Sequence, residues 1–389
     1  MRVGLVLGAG GVLGGAWLTG ALHALAEETE WDPGSAEFIV GTSAGAMIGA
    51  LTAAGVPPWF MVAHSAGESF GGVNAADGSP AAEADRAAGA VFRIHRGLPP
   101  LGPGSLRMAF TALANPLGHT PLQLLAGWLP SGFVSTDSLR DIVRRVVPDG
   151  WVEHPNYWAV ACDYQSGRRI PFGRLDAPNA DLADAVAASC AIPGFYRPVK
   201  IGSRRYVDGG VCSASNLDLV AGRGLDLVIC LNPLSSGSGS ESPLGRLGPL
   251  GPRDGAGPLG ALDPRDWLGA LGPLDPRDWL GALSRQANRR RLGREAAKVR
   301  RFGTEVLLLE PTAADHAAMG RNLMSGGRRQ QVIETATRTV REQLRTHERE
   351  HLLTDLPPGE PHKVRRPAGP PSSWPPLRPA VHAESARAA

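Results

Sequence analysis

Two strand-to-helix joints, each closed by a glycine-flanked turn, restrict this 389-residue chain more than any other feature. Val3 to Leu7 is a short apolar run, Gly8-Ala9-Gly10-Gly11 follows as a turn, and Ala16 to Ala26 repeats apolar residues at helical spacing. Phe38-Ile39-Val40 is a second apolar run. It enters Gly41-Thr42-Ser43-Ala44-Gly45 and then the helical stretch Ala46 to Ala54. Such alternation predicts an α/β fold with a mainly parallel central sheet covered on both faces. A chain of this length buries a core without help from metal or disulfides.

The pattern breaks twice. Residues 56–135 form a long insertion with Gly and Pro throughout and with Trp59, Phe60, Phe70, Phe92, Phe110, Trp128 and Phe133 scattered in it. It is either a helical subdomain with its own small core or a cap lined for acyl chains. Regularity returns at Thr136: Asp137 is expected to cap a helix through Arg145, and Tyr157 to Cys162 and Arg169 to Phe172 read as strands. Asp181 opens a helix to Ser189, Lys200 to Val207 is a hairpin-like pair, and Leu225 to Leu231 is a buried strand. Residues 233–283 are dominated by Gly, Pro, Ser and Leu. There the unit Leu-Asp-Pro-Arg-Asp-Trp-Leu-Gly-Ala-Leu occurs at 262–271 and again at 274–283.

Each Asp-Pro of the repeat reads as a helix N-cap followed by proline at the first helical position. Two copies are too few for a solenoid, so the repeat is either a tandem duplication in a tolerant loop or a surface-seeking segment. Glu305 to Leu309 reads as a last strand, Gln330 to His351 as a long charged helix, and the Pro-rich remainder as a disordered tail. The organisation expected is a main domain at 1–232 split by the 56–135 insertion, a linker at 233–283, a completing segment at 284–353, and a tail at 354–389.

Charge and cysteine usage exclude several classes. A net charge of +3 is too mild to imply nucleic acid. Residues 285–301, however, carry eight Arg and Lys, from Arg285 to Arg301, against Glu295 alone, a local net of +7. With Trp267 and Trp279 just before it, this stretch is a candidate for peripheral contact with anionic lipid headgroups; a solvated helix face is the plainer reading. Hydrophobic residues at 43% and a mean hydropathy of −0.11 exclude a polytopic membrane protein. Cys162, Cys190, Cys212 and Cys230 show neither Cys-x-x-Cys nor zinc-finger spacing, so neither a metal nor a disulfide framework is expected. Met1-Arg2 and the apolar stretch to Ala26 mimic a signal peptide, but Gly8, Gly10, Gly11, Gly14 and Gly15 do not suit one, and a cytoplasmic location is expected.

Gly41-Thr42-Ser43-Ala44-Gly45 fits the Gly-x-Ser-x-Gly nucleophile elbow, with the strand before and helix after that it requires. Gly41 and Gly45 let the backbone turn tightly enough to lift the Ser43 hydroxyl, and the helix start directs positive potential at a developing oxyanion. The Gly8 to Gly14 run has Leu13 where a dinucleotide fingerprint needs its sixth-place glycine. It reads better as backbone N–H groups beside Ser43, or as a turn that merely packs helix on strand. A base is also needed. His23, His64, His95, His119, His154, His316, His347 and His351 sit in no recognisable active-site turn, whereas Asp208-Gly209-Gly210 does: Gly209 and Gly210 leave the Asp208 carboxylate room to approach another loop.

In order along residues 3–232, the Gly8 to Gly15 run, Gly-Thr-Ser-Ala-Gly-Ala at 41–46, Ala-Ser-Cys-Ala-Ile-Pro-Gly at 188–194, Tyr-Val-Asp-Gly-Gly at 206–210, and Asn216 resemble the patatin-like phospholipase family of bacterial type. The resemblance implies a three-layer α/β/α fold and a lipid acyl hydrolase using a Ser-Asp dyad without histidine, metal or cofactor. Carried over, Ser43 is the nucleophile, Asp208 the base, and the backbone of Ala9, Gly10 and Gly11 the oxyanion hole, with a lipid ester as substrate. Two positions depart from the family: Ala9 stands where a third glycine is usual, tolerable if its φ is negative, and Leu13 stands where Arg or Lys is usual. Leu13 is expected to remove a cation from the edge of the site. A Ser-His-Asp carboxylesterase and a catalytically silent lipid- or protein-binding scaffold are the alternatives.

Overall fold

The computed structural model describes residues 1–65, 102–114, 121–236, 276–320, 322–346 and 352–357. Their strands form one eight-stranded sheet: β1 (Val3–Leu7), β2 (Phe38–Thr42), β3 (Tyr157–Asp163), β4 (Arg169–Phe172), β5 (Val199–Ile201), β6 (Arg204–Asp208), β7 (Leu227–Leu231) and β8 (Glu305–Leu309). The order is β5-β6-β3-β2-β1-β7-β8, with β4 pairing β3. From β3 through β8 the neighbours are parallel; the β3–β4, β3–β6 and β5–β6 pairings are antiparallel.

The helices are α1 (Gly11–Thr29), α2 (Ala44–Ala53), α3 (Pro58–Ser65), α4 (Leu106–Ala114), α5 (Pro121–Trp128), α6 (Asp137–Val146), α7 (Leu182–Ser189), α8 (Pro276–Arg300), α9 (Ala313–Met319) and α10 (Arg329–Leu344). Strand side chains alternate between two dry faces. Leu5, Leu7, Ile39, Ala159, Ile229, Leu231 and Leu307 join a core with Trp17 and Leu22 of α1, Val186 of α7, and Val332 and Val340 of α10. Val6, Val40, Trp158, Val160, Val228, Cys230 and Val306 face the opposite way, onto Leu292, Ala296 and Val299 of α8 and onto Leu217 and Val220. Two cores on one sheet make three layers, α/β/α. Each fully buried Leu or Val contributes roughly 1.5–3 kcal/mol.

Several local details refine the sequence reading. Helix α1 starts at Gly11 rather than Ala16, because Gly11 turns the chain at φ 64 and glycines 14, 15 and 20 then lie inside the helix. Gly20 is there for contact: a Cβ on it would strike the Ile333 carbonyl oxygen of α10. Asp137 is the first helical residue of α6, not its cap; it accepts a bond from Ser135 Oγ (2.6 Å), while Thr136 occupies the cap position, its side chain capping no helix N–H and accepting instead from Arg140 Nη1 at 2.7 Å. The last long helix ends at Leu344. Pro276 of the second repeat opens α8, which runs unbroken into the basic stretch.

The first repeat copy with Trp267, and the tail beyond 357, lie outside the described residues, as do Phe70, Phe92, His95, His119, His347 and His351. No helix among the described residues is long and apolar enough to cross a membrane.

Candidate active site

Ser43 stands at the joint between β2 and α2 with φ 54 and ψ −121, one of three described non-glycine residues with positive φ. Such a conformation costs on the order of 1–3 kcal/mol and persists only where its surroundings enforce it. Here they do. A Cβ on Gly41 would collide with the backbone of Gly45 and Ala46, and one on Gly45 with the carbonyls of Leu7 and Gly8. Helix α2 therefore packs its first turn directly on the end of β1, and only glycine permits it. Ser189 Oγ completes the clamp, accepting from the Ser43 N–H (2.9 Å) and donating to the Val160 carbonyl (2.6 Å). From the inner side, Tyr157 Oη donates to the Ala46 carbonyl at 2.6 Å.

Asp208 ends β6, which pairs with β3 at Ala161. The Ser43 hydroxyl lies near enough to favour its ionised form, and the Gly210 N–H donates to Oδ1 at 2.7 Å. Burial pushes the carboxyl up from 3.8 to about 6, and the Ser43 hydroxyl and the Gly210 N–H pull the other way. Gly209 lies against the Val160 carbonyl, where a Cβ would overlap, and a Cβ on Gly210 would come 3.4 Å from that of Ala9. The Asp-Gly-Gly turn thus rests on the glycine-rich turn, and both lie beside Ser43. Cys190 is the third group near the hydroxyl: burial together with the Asp208 charge pushes its thiol well above its ordinary range, and the neighbouring Ser43 side chain pulls it slightly back.

Around the glycine-rich turn the backbone bonds sort the N–H groups. Gly8 donates to the Leu231 carbonyl and Ala9 to the Ala214 carbonyl, each at 2.8 Å. The N–H of Ala9, expected among the oxyanion donors, is therefore already used. Those of Gly10 and Gly11 have no partner among the described residues. Ala9 has negative φ, so its methyl is tolerated where glycine is usual. Leu13 is not at the edge of the site: it lies in the first turn of α1 with its side chain completely buried in the core, and its N–H bonds the Leu323 carbonyl at 2.9 Å. A cation at that position would have no water to reach.

Of the described histidines, His23 pairs with Glu27 at 3.4 Å, His154 Nε2 with the Ala36 carbonyl at 2.7 Å, and His316 Nε2 with Ser236 Oγ at 3.0 Å. The four cysteines are free thiols, all buried. Among the described residues no cluster of His, Cys, Asp and Glu could hold a metal ion.

Sequence reasoning brought Ser43, Asp208 and the two glycine turns to one place but missed Ser189. Its only signal was membership of the Ala-Ser-Cys-Ala-Ile-Pro-Gly block, since a serine ending a short apolar helix looks ordinary. Asn216, named in the sequence only as part of the family resemblance, donates through Nδ2 to Thr42 Oγ1 at 3.0 Å and accepts from Arg169 at 3.2 Å.

The family model described as patatin-like phospholipase matches residues 5–221. Proteins of Mycobacterium bovis and Mycobacterium tuberculosis, each named an uncharacterized NTE family protein, are 32% identical to this chain over 113 residues. That match covers 28% of this chain and spans 29% of the length of each relative.

Proposed function

This chain belongs to the patatin-like phospholipase family, which implies lipid acyl hydrolysis, and from that premise we propose that it cleaves carboxylic esters of lipids through Ser43 and Asp208. The observation that carries the reading is the placement of Ser43, on a strained backbone at the β2–α2 joint, beside a buried carboxylate raised to about 6. A carboxylate so raised is a better base than a solvated one yet still ionised at neutral pH. Asp208 takes the proton as Ser43 Oγ attacks the ester carbonyl. The N–H groups of Gly10 and Gly11, together with the start of α2, stabilise the tetrahedral oxyanion. Protonated Asp208 then gives its proton to the departing alcohol or lysolipid. Water, deprotonated by Asp208, attacks the acyl-enzyme and releases the fatty acid with Ser43 restored.

Hydrolysis of a panel of phospholipids, lysophospholipids and neutral esters tests this beside Ser43→Ala and Asp208→Asn. Both variants are expected to lose at least about a thousandfold in kcat, on the scale seen when one member of a nucleophile–base pair is removed. Wild-type turnover in either would refute it.

A cytoplasmic location with peripheral attachment to an anionic membrane is a further part of the proposal. The attachment is supported by the exposed Arg289, Arg290 and Arg294 of α8. Because α8 is packed into the core, charge reversal of those three is the proper test. Liposome sedimentation equal to wild type would remove this part.

A further inference from the structure

We infer that Glu295, on a helix beyond the family-matched residues 5–221, is a positioning residue for the Ser43 site. The inference rests on the hydrolase reading above. Glu295 projects from the inward face of α8 among Leu292, Ala296 and Val299 and is only 7% exposed. Its Oε1 accepts from Ser213 Oγ at 2.7 Å and Arg291 Nε at 3.2 Å; its Oε2 accepts from Ser215 Oγ at 2.5 Å and the Leu217 N–H at 3.0 Å. Apart from Arg291, every donor comes from the single stretch 213–217 that follows the Asp208 turn.

The other side of that stretch is the wall of the site. The Ala214 carbonyl fixes the Ala9 N–H at 2.8 Å, immediately before the N–H groups of Gly10 and Gly11. Asn216 Nδ2 holds Thr42 Oγ1 at 3.0 Å, immediately before Ser43. One carboxylate thus sets the position of a loop that touches both the oxyanion turn and the nucleophile's strand.

A buried carboxylate is a poor choice if all that is needed is to glue a helix to a loop. Its desolvation is expensive, and hydrocarbon of the same volume stabilises as well or better. What it offers instead is direction. Two oxygens with fixed lone pairs hold two hydroxyls and one backbone N–H in a single arrangement, and catalytic geometry is sensitive to displacements of about 1 Å.

The test compares wild type with Glu295→Ala, Glu295→Asp and Glu295→Gln in the full chain. Active sites are first counted by fluorophosphonate labelling of Ser43, so that kcat refers to folded, labelled enzyme and not to total protein. Glu295→Ala and Glu295→Asp are expected to lose about tenfold or more in kcat per labelled site with KM within about twofold. Glu295→Gln, which keeps an acceptor of the same length, is expected to recover to within about threefold of wild type. Ala297→Ser, on the exposed face of the same helix, should leave kcat unchanged. Wild-type kcat per labelled site in the Ala and Asp variants would overturn the inference even if their melting temperatures fall, and so would a Gln variant as slow as Ala. Should Ala fail to fold, the Asp and Gln variants decide alone. A wild type that neither labels nor hydrolyses would instead bring down the hydrolase reading itself, and the inference with it.

Discussion

The raised carboxyl of Asp208 predicts opposite pH dependences for activity and stability. Only its ionised form can take the Ser43 proton, so kcat/KM should follow the ionised fraction of a group titrating at about 6. That fraction is about nine-tenths at pH 7 and about one-tenth at pH 5, with a tenfold loss for each further unit. Stability runs the other way. Because the folded value lies above the unfolded 3.8, the fold favours the protonated form. That contribution is fully present below about 3.8 and is lost as pH rises through about 6. At 1.36 kcal/mol per pH unit, the ionised group costs the neutral-pH fold on the order of 3 kcal/mol. Asp208→Asn removes the charge while keeping an acceptor for the Gly210 N–H, so it should abolish hydrolysis and raise stability by about that amount at pH 7.5. At pH 4.5 the advantage should shrink to about 1 kcal/mol. Urea unfolding of both proteins at the two pH values, beside a kcat/KM profile from pH 4.5 to 8, measures all of this. An activity inflection near 4, or an Asn variant no more stable than wild type at pH 7.5, would refute the account of a desolvated base.

Gly45→Ala should push the first turn of α2 off the Leu7 and Gly8 carbonyls, costing roughly 1–3 kcal/mol by thermal unfolding and at least a hundredfold in kcat. Wild-type turnover would mean that the close approach of α2 to β1 is not what shapes the elbow. Leu13→Arg should lose several kcal/mol or all soluble yield, because it places an unpaired cation in the core, whereas Leu13→Met should cost under about 1.5 kcal/mol. A soluble, active Arg variant would return that position to the edge of the site.

Short-range constraints were the legible part. The elbow at Ser43 was readable because a tight strand-to-helix turn needs glycine on both sides within five residues, and the Asp208 turn because carboxylate and glycines are adjacent. Strand positions were readable because both sheet faces are buried and the runs are uniformly apolar. What failed depends on partners distant in sequence. The Ala9 N–H is taken by Ala214, and Leu13 is buried by packing that no local pattern reveals. Glu295 looked like the lone exception within a basic run, and only the packing of α8 turns it inward. Helix α1 was placed too late because the apolar spacing was counted only from Ala16, whereas the helix already begins at Gly11, directly at the end of the glycine-rich turn.

Strand β1, which delivers the glycine-rich turn, has β2 on one side and β7 on the other, and β7 pairs in turn with β8. Both of the latter lie past residue 221, where the family match stops. A chain cut at that boundary would leave β1 as an open edge, its N–H and carbonyl groups unpaired and the apolar faces of its neighbours uncovered, which is a template for association with other chains. Expression of the matched region alone should therefore give aggregate, and the smallest soluble unit should extend through α10.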